Sequence, residues 1–434
     1  SLGALTAAPR DEWAKARESL WRASASNRAS LEAMDTALLV LCLDGAAPPA
    51  GEAVARAVLV GSGSQRWFDK LCAIVFSDGT AGINFEHSPV DGAQVSFLVE
   101  RMYGCGLRFP SAPPAAAEPA GAPEAILLQW RLPPPLSSAV SAAAAQHAER
   151  DAGLELEPLS VGCLGTEWAK AHGAPLDSLV QLSVQLAWAR LDEGGLRSVY
   201  QACSTLAFSH GRTEVIRSVT SETAALVAEL LRDEASPRLP ELLAAAVRSH
   251  REVVRDCQRG HGHERHLLAL YALSASSGAP TPALFLHQAW SEVSASTIST
   301  SGARQPSVAS FSFGPVCPTG IGVGYLLFAS SVECTVSSWK GKGPPAAQVA
   351  REIAAAAQAL RCASTRRRAS PCASPYPTCF VDARYARRAL FASGAVVRAG
   401  EQALEGRDVA ARALALRSFA VSSDARRKQR WRAE

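Results

Sequence analysis

Apolar and polar positions along this chain follow two periods that alternate from the first residues to about residue 360. Helical spacing or alanine-rich composition predicts helices over residues 10–27, 30–34, 93–101, 137–150, 176–191, 222–231, 239–255 and 349–360. Short apolar runs bounded by turn residues predict strands over residues 37–43, 71–76, 125–130, 310–313 and 321–328. Helix-rich halves mixed with short strands indicate an α/β fold.

The sequence between these elements predicts the domain organisation. Residues 109–124 are rich in proline and alanine, a composition typical of linkers, so we predict one domain over residues 1–108 and a second over residues 125–345. Residues 45–55 are mostly small and predict a loop. From residue 346 onward alanine and arginine dominate, and we predict a basic low-complexity tail over residues 346–434, disordered or weakly helical rather than an anchor for an anionic surface.

Composition narrows the function class. With 434 residues the chain is long enough for two domains, and a net charge of +4 is too small to indicate a nucleic-acid partner. The 11 cysteines are odd in number and show neither paired nor metal-ligand spacing, so we expect no metal site and a reducing, intracellular compartment. No apolar run approaches the roughly 20 residues of a membrane span, and no secretory signal opens the chain.

The segment around His87 carries the strongest chemical signal. The apolar strand over residues 71–76 and the turn over residues 77–80 predict a hairpin, which places His87 near the end of its second strand. A histidine has an unperturbed pKa of about 6.5 and can act as a general base near neutral pH. Asp91 can fix the imidazole tautomer or brace the loop through an ion pair. A histidine near an aspartate is also common as a purely structural pair.

Six sequence blocks in one order decide between these interpretations, at residues 65–70, 82–92, 211–214, 265–270, 299–301 and 313–316. In combination they resemble the choline/carnitine acyltransferase family over residues 9–345. The resemblance implies two catalytic domains of related, chloramphenicol-acetyltransferase-like α/β topology with an active-site tunnel between them. It also implies that the first domain is partial here, because family members carry a large further N-terminal portion.

The resemblance implies an acyl transfer between a thioester and an alcohol, with no acyl-enzyme. His87 matches the family's general base, Asp91 the acidic residue that partners it, and Ser301 the hydroxyl that stabilises the oxyanion. Glu86 matches too, and we expect it to be structural. No permanently bound cofactor is implied. The substrates are coenzyme A or its acyl thioester and a small alcohol, and we expect a monomer.

Coenzyme A carries a 3′-phosphate and a pyrophosphate, so its site requires cationic side chains. Lys170, Asp177 and Arg251 match coenzyme A contacts of the family. Thr166 stands where the family usually has a lysine, and Gly302 replaces a glutamine. We therefore expect weaker coenzyme A binding than is usual for the family.

The acceptor and the acyl group follow from four further positions. Arg265, Thr213 and Tyr200 match the residues with which carnitine enzymes hold the carnitine carboxylate, so the resemblance favours carnitine over choline. Phe311 falls where short-chain enzymes carry a bulky residue, and its ring would exclude a long acyl chain.

Two alternatives to an active carnitine acyltransferase stay open. The first is a catalytically inactive or partner-dependent fragment of such an enzyme, because a portion is missing and the coenzyme A residues are altered. The second is a choline acetyltransferase. The family alone suggests a mitochondrial or peroxisomal location.

Overall fold

A three-stranded sheet organises the first hundred residues. The computed structural model describes residues 1–48, 52–61, 66–104, 125–278, 280–365 and 395–397. β1 pairs parallel with β2, and β2 pairs antiparallel with β3, which confirms the predicted hairpin. The elements are the 3₁₀ helix η1 (Leu2–Ala7), α1 (Arg10–Ala23), α2 (Ala25–Thr36), β1 (Val40–Asp44), α3 (Glu52–Leu59), β2 (Cys72–Phe76), β3 (Ala81–Asn84) and α4 (Gly92–Gly104).

A six-stranded sheet organises the rest. Its strand order is β4-β10-β9-β7-β5-β6, with β7 parallel to both of its neighbours and the other pairs antiparallel. The elements of this part are α5 (Pro134–Gly153), β4 (Leu154–Val161), α6 (Thr166–His172), α7 (Leu176–Leu191), β5 (Val199–Ser204), β6 (Thr213–Ile216), α8 (Ser221–Arg232), α9 (Leu239–Gln258), α10 (Glu264–Ser276), α11 (Ala283–Leu286), α12 (Gln288–Ser294), β7 (Ile298–Ala303), β8 (Val308–Phe311), β9 (Ile321–Leu327), β10 (Val332–Trp339), α13 (Ala346–Thr365) and β11 (Ala395–Val397).

The main hydrophobic core lies between this sheet and the helices α7, α8, α9 and α13. α7 is buried along nearly its whole length, because its apolar residues surround the axis instead of forming one stripe. Leu182 and Leu186 of α7 pack in one cluster with Ile353 and Leu360 of α13 and with Val323 of β9. α7 is therefore the central helix of this part of the chain.

The strand β8 lies against β9 and carries the second layer of contacts. A Cβ atom added at Gly324 of β9 would stand 2.2 Å from the carbonyl oxygen of Phe311, so only glycine permits this approach. Val308 of β8 and Leu326 of β9 join one hydrophobic cluster with Ile83 and Phe85 from the β2–β3 hairpin. The hairpin that precedes His87 is thus packed onto the six-stranded part.

Several predicted elements differ from the structure. Residues 125–130 form no strand, and α3 begins at Glu52, within the stretch predicted to be a loop. α2 begins at Ala25 rather than at residue 30, because the Ser24 hydroxyl accepts a hydrogen bond from the Asn27 amide and caps the helix there.

Two predicted boundaries also differ in their packing. α13 falls inside the stretch predicted as a tail, yet its alanine and leucine side chains are part of the main core. α5 lies beyond the predicted linker, yet Leu136 and Ala143 pack against Leu5 and Leu20 of the first part. The linker itself, residues 109–124, lies outside the described residues, and the division into domains stays a prediction. Within the described ranges, no helix is both long and apolar enough to span a bilayer.

Candidate active site

The loop that carries His87 is positioned by the hairpin before it and the helix after it. The hairpin turns at Gly79, whose φ of +85° suits glycine. Two residues after the buried Phe85, His87 enters the loop, and Asp91 directly precedes α4. The carbonyl oxygen of Asp91 accepts hydrogen bonds from the amides of Gln94 and Val95, which start that helix. The backbone at Asp91 is therefore held by α4.

The His87 and Asp91 side chains meet as the sequence predicts. Nδ1 of His87 lies 3.2 Å from Oδ1 of Asp91. The imidazole is 65% exposed, whereas the Asp91 side chain is only 8% exposed. With Nδ1 carrying the proton that Asp91 accepts, Nε2 holds a lone pair that faces away from the carboxylate. Among the described residues Nε2 has no hydrogen-bond partner, so it is available to a substrate hydroxyl.

Arg212 is a candidate functional residue that the sequence analysis missed. Its Nε and Nη2 atoms donate to the two oxygens of Asp91 at 2.9 and 3.0 Å, and the same guanidinium donates to the carbonyl oxygens of His87 and Ser88 at 2.6 and 3.1 Å. Arg212 belongs to one of the six sequence blocks, which was the only signal for it. The guanidinium thus holds both the carboxylate and the backbone of the His87 loop.

The charge state of Asp91 follows from this contact. Burial, the largest single influence, raises its pKa, but the hydrogen bond and positive charge of Arg212, together with His87, outweigh burial and lower the pKa of Asp91 below its ordinary value. Asp91 is therefore ionised at neutral pH and can orient the imidazole.

The three predicted carnitine positions come together around Arg265. Its Nη2 atom lies 3.3 Å from the Tyr200 hydroxyl, and its Nε donates to the carbonyl oxygen of Thr213 at 3.0 Å. The guanidinium carbon also lies 5.9 Å from the centre of the Tyr200 ring. Tyr200 lies on β5, Thr213 begins β6, and Arg265 is in the first turn of α10. Because Thr213 directly follows Arg212, this group adjoins the anchor of the His87 loop.

Ser301 and Phe311 lie on the face of the sheet that β8 covers. Thr300 points to the opposite face, where its hydroxyl contacts Gln181 of α7 at 3.0 Å. Because successive side chains of a strand alternate, half-buried Ser301 points away from α7. Ser301 pairs in register with Gly324, and Phe311 lies over that glycine. Within the described structure, no hydrogen bond joins His87 to Ser301.

Two of the three predicted coenzyme A residues line one open cleft, and the third does not. The cleft, which we call the basic cleft, has a volume of about 370 Å³. Its polar lining consists of Thr166, Lys170, Arg251 and Arg304. Asp177 instead points inward. Its oxygens accept hydrogen bonds from the Tyr325 hydroxyl at 2.6 Å and from the Gln201 amide at 2.9 Å.

Asp177 belongs to a buried polar network that the sequence did not predict. Gln201 also contacts Nε2 of His250 at 2.9 Å, and Nδ1 of His250 contacts the Ser178 hydroxyl at 2.9 Å. Burial lowers the pKa of His250, against the opposing charge of Asp177, so this histidine is neutral at pH 7. Among the described residues, no group of three or more His, Cys, Asp or Glu side chains is placed to hold a metal ion.

Comparison with known proteins adds to this geometry. The model of the family "Choline/Carnitine o-acyltransferase" matches residues 1–354. The mitochondrial carnitine O-palmitoyltransferase 2 of Bos taurus is 32% identical over 348 residues, covering 79% of this chain and 52% of that protein. Carnitine O-acetyltransferase of Rattus norvegicus is 28% identical, covering 78% and 55%. The chain spans about half the length of the curated relatives it matches.

Two further similarities extend this range. A putative mitochondrial carnitine O-acetyltransferase of Saccharomyces cerevisiae is 31% identical, covering 78% of this chain and 56% of that protein. Among solved structures, a wax ester synthase/diacylglycerol acyltransferase from Marinobacter aquaeolei VT8 superposes with a TM-score of 0.36 at 11% identity, covering 75% of this chain and 80% of that one. That structural likeness is too distant to carry a conclusion about this chain.

Proposed function

Because this chain belongs to the choline/carnitine O-acyltransferase family, we propose that it transfers a short acyl group reversibly between acyl-coenzyme A and the hydroxyl of carnitine. One observation carries the proposal. Arg212 holds Asp91 and the His87 loop, and the next residue, Thr213, contacts Arg265 of the carnitine positions. The candidate base and the candidate acceptor site are thus both held by residues at the beginning of β6.

In this proposal His87 is the general base. Nε2 removes the proton of the carnitine hydroxyl while Nδ1–H donates to ionised Asp91, which stabilises the imidazolium that forms. The carnitine oxygen attacks the thioester carbonyl, the carbon–sulfur bond breaks, and the proton on His87 passes to the departing thiolate. In the reverse direction His87 deprotonates coenzyme A. No acyl-enzyme is needed.

We propose that the Ser301 hydroxyl stabilises the oxyanion by donating a hydrogen bond to it. Ser301 lies in the strand β7, whose register with Gly324 is set by the sheet, so its position needs no rearrangement of a loop. A preorganised donor of this kind acts on charge that develops only in the transition state. Loss of one such donor typically lowers the rate by about a hundredfold to a thousandfold.

We propose that Arg265 binds the acceptor carboxylate, with Tyr200 and Thr213 beside it. The Arg265 side chain is exposed and its hydrogen bonds go to a hydroxyl and a backbone carbonyl, so no carboxylate among the described residues pairs with the guanidinium. A guanidinium binds a carboxylate through two parallel hydrogen bonds. Carnitine carries such a group and choline does not.

We propose a short acyl group because of Phe311. Its ring packs beside the cluster of Phe85, Val95 and Leu326 and lies 5.8 Å from the Phe313 ring. A bulky ring at this place leaves little room for a long chain. The relatives named above include both a palmitoyltransferase and acetyltransferases, so acyl length rests on Phe311 alone.

The second candidate is an inactive or partner-dependent form of the same catalytic unit. The observation that favours it is the pair of altered coenzyme A positions, where Thr166 and Gly302 stand in place of the lysine and the glutamine that the family resemblance predicts. A site with one cation and one side-chain amide fewer would bind coenzyme A more weakly. For either candidate we expect an active-site tunnel between two related domains, as the family resemblance implies. We also expect a mitochondrial location, because the names of two relatives include that compartment.

The test measures release of coenzyme A from acetyl-coenzyme A, with carnitine or choline as acceptor. We expect release that depends on carnitine and falls by at least about a hundredfold in His87→Ala. His287→Ala serves as the matched control, because this exposed histidine lies between α11 and α12 and belongs to none of the described contacts of the candidate site. No release from folded protein would favour the inactive form, and release with choline alone would favour a choline enzyme.

A further inference from the structure

Arg304 lies at the basic cleft without an assigned role. It is the first residue after β7, the strand that carries Ser301, and its side chain is exposed. The sequence analysis did not single it out, because no block of the family resemblance includes it. The structure nevertheless places it on the same lining as Lys170 and Arg251.

The three cations reach the cleft from three separate elements. Lys170 comes from α6, Arg251 from α9 and Arg304 from the end of β7. None of the three has an ion-pair partner among the described residues. Three positive charges that converge on one opening repel one another, and an anionic ligand removes that repulsion.

The lining of the basic cleft contains no acidic residue in the described part of the chain. Asp177, which directly follows the lining residue Leu176, commits both of its oxygens to Tyr325 and Gln201 in the interior. The cleft is therefore cationic, and its size of about 370 Å³ suits a phosphate-bearing group rather than a single small ion.

Thr166 explains why a further cation matters. It lines the same cleft, at the place where the family resemblance predicts a lysine. With Thr166 in that place, Lys170 and Arg251 would face the phosphates of coenzyme A with one charge fewer. Arg304 supplies a charge at the opening from a different element.

We propose that Arg304 is a phosphate-binding residue for acyl-coenzyme A and takes over the role of the lysine that Thr166 replaces. The guanidinium offers paired N–H donors to phosphate oxygens. This inference rests on the proposed function only for the identity of the ligand. The weaker coenzyme A binding expected from Thr166 and Gly302 is then partly offset.

The first experiment compares KM values for acetyl-coenzyme A and for acetyl-pantetheine, which lacks all the phosphates. Arg304→Ala should raise KM for acetyl-coenzyme A about tenfold, as expected for one charge-assisted hydrogen bond, and leave KM for acetyl-pantetheine and carnitine unchanged. Arg351→Ala is the matched control, since Arg351 is an exposed arginine of α13 that does not belong to the cleft lining. A rise below twofold, or an equal rise with acetyl-pantetheine, would overturn the inference.

A second variant tests the exchange of roles. In Arg304→Ala, the added change Thr166→Lys should restore most of the lost affinity, because the lysine enters the same cleft. The KM for acetyl-pantetheine should stay the same in the single and the double variant. Dephospho-coenzyme A separates the two phosphate groups: if Arg304 binds the 3′-phosphate, the effect of Arg304→Ala disappears with this ligand, and if it binds the pyrophosphate, the effect persists.

Calorimetric binding keeps this inference separate from the proposed function. Coenzyme A and adenosine 3′,5′-bisphosphate are titrated into the full chain and into Arg304→Ala without any acceptor. Binding that weakens about tenfold in the variant supports the role of Arg304 even when no acyl transfer occurs. Equal binding by both proteins, or no binding by the unaltered chain, would overturn it. Unchanged circular dichroism of the variant excludes misfolding as the cause.

Discussion

The His87 loop and the core around α7 hold their polar groups in opposite ways. In the loop, an exposed imidazole and a nearly buried carboxylate depend on one exposed guanidinium, that of Arg212. Around α7, His250, Gln201 and Asp177 are linked by hydrogen bonds in the interior. The loop therefore keeps groups that a substrate can reach, whereas the core network uses its groups on one another.

This difference teaches which contacts carry chemistry and which carry stability. A few charge-assisted bonds at the surface orient a reactive group with little effect on folding. Apolar packing and satisfied polar groups in the interior contribute most of the free energy of unfolding. Substitutions in the two regions should therefore separate rate from stability.

Leu186→Ala should produce the largest effect on stability. Leu186 is fully buried in the main core, and removing its side chain leaves a cavity that typically costs about 3 kcal/mol of unfolding free energy. Chemical denaturation measures this loss, and the turnover per folded molecule should stay unchanged. Leu273→Ala, at a 64% exposed leucine of α10, is the control and should change stability by less than about 0.5 kcal/mol.

Arg212→Met should produce the reverse pattern. Without the guanidinium, the pKa of Asp91 rises and the carbonyl oxygens of His87 and Ser88 each lose a donor. We therefore expect kcat to fall by about a hundredfold with KM for acetyl-coenzyme A little changed. The acidic limb of the pH–rate profile should move to higher pH. Arg197→Met, which removes a surface ion pair with Asp192, is the control. A change in KM with kcat unaltered would contradict the positioning role.

Arg265→Asn combined with Thr213→Val should change the preference between carnitine and choline as acceptors. Without its cation, the site loses a carboxylate partner, and KM for carnitine should rise by about tenfold or more. Choline turnover should increase relative to carnitine turnover. The measurement is the ratio of kcat/KM for the two acceptors. A ratio that does not move would argue against these positions as the acceptor site.

His250 should give the smallest effect, and it appears only with changing pH. Its folded-state pKa lies below the unfolded value of about 6.5, so the unfolded chain binds a proton more readily than the folded chain does. The free energy of unfolding therefore carries no penalty from His250 above pH 6.5, and it declines as the pH falls below that value. Urea unfolding at pH 5 and pH 7 should show this decline, and His250→Gln should reduce it. An equal decline in the variant would assign the pH dependence to other groups.

Local regularities in the sequence accounted for much of the fold. The bounds predicted for α7, residues 176–191, agree with the structure, and the β2–β3 hairpin lies where the turn residues place it. His87 and Asp91 are four residues apart, so a short loop suffices to join them. The strand predicted at residues 125–130 fails because an apolar run forms a strand only when a neighbouring strand supplies its hydrogen bonds.

Most candidate site residues were predicted from the sequence, Arg212 and Arg304 excepted, because the residue types and their order along the chain carry the family resemblance. The tertiary structure alone decided which distant segments meet: Arg212 with Asp91 across 121 positions, Asp177 turned toward Tyr325, α13 packed into the core, and Arg304 and Arg251 at the lining of one cleft. Hydrophobic and turn patterns report hydrogen bonds and burial over a few residues. Which distant side chains meet depends on how whole elements pack, and no local pattern encodes that arrangement.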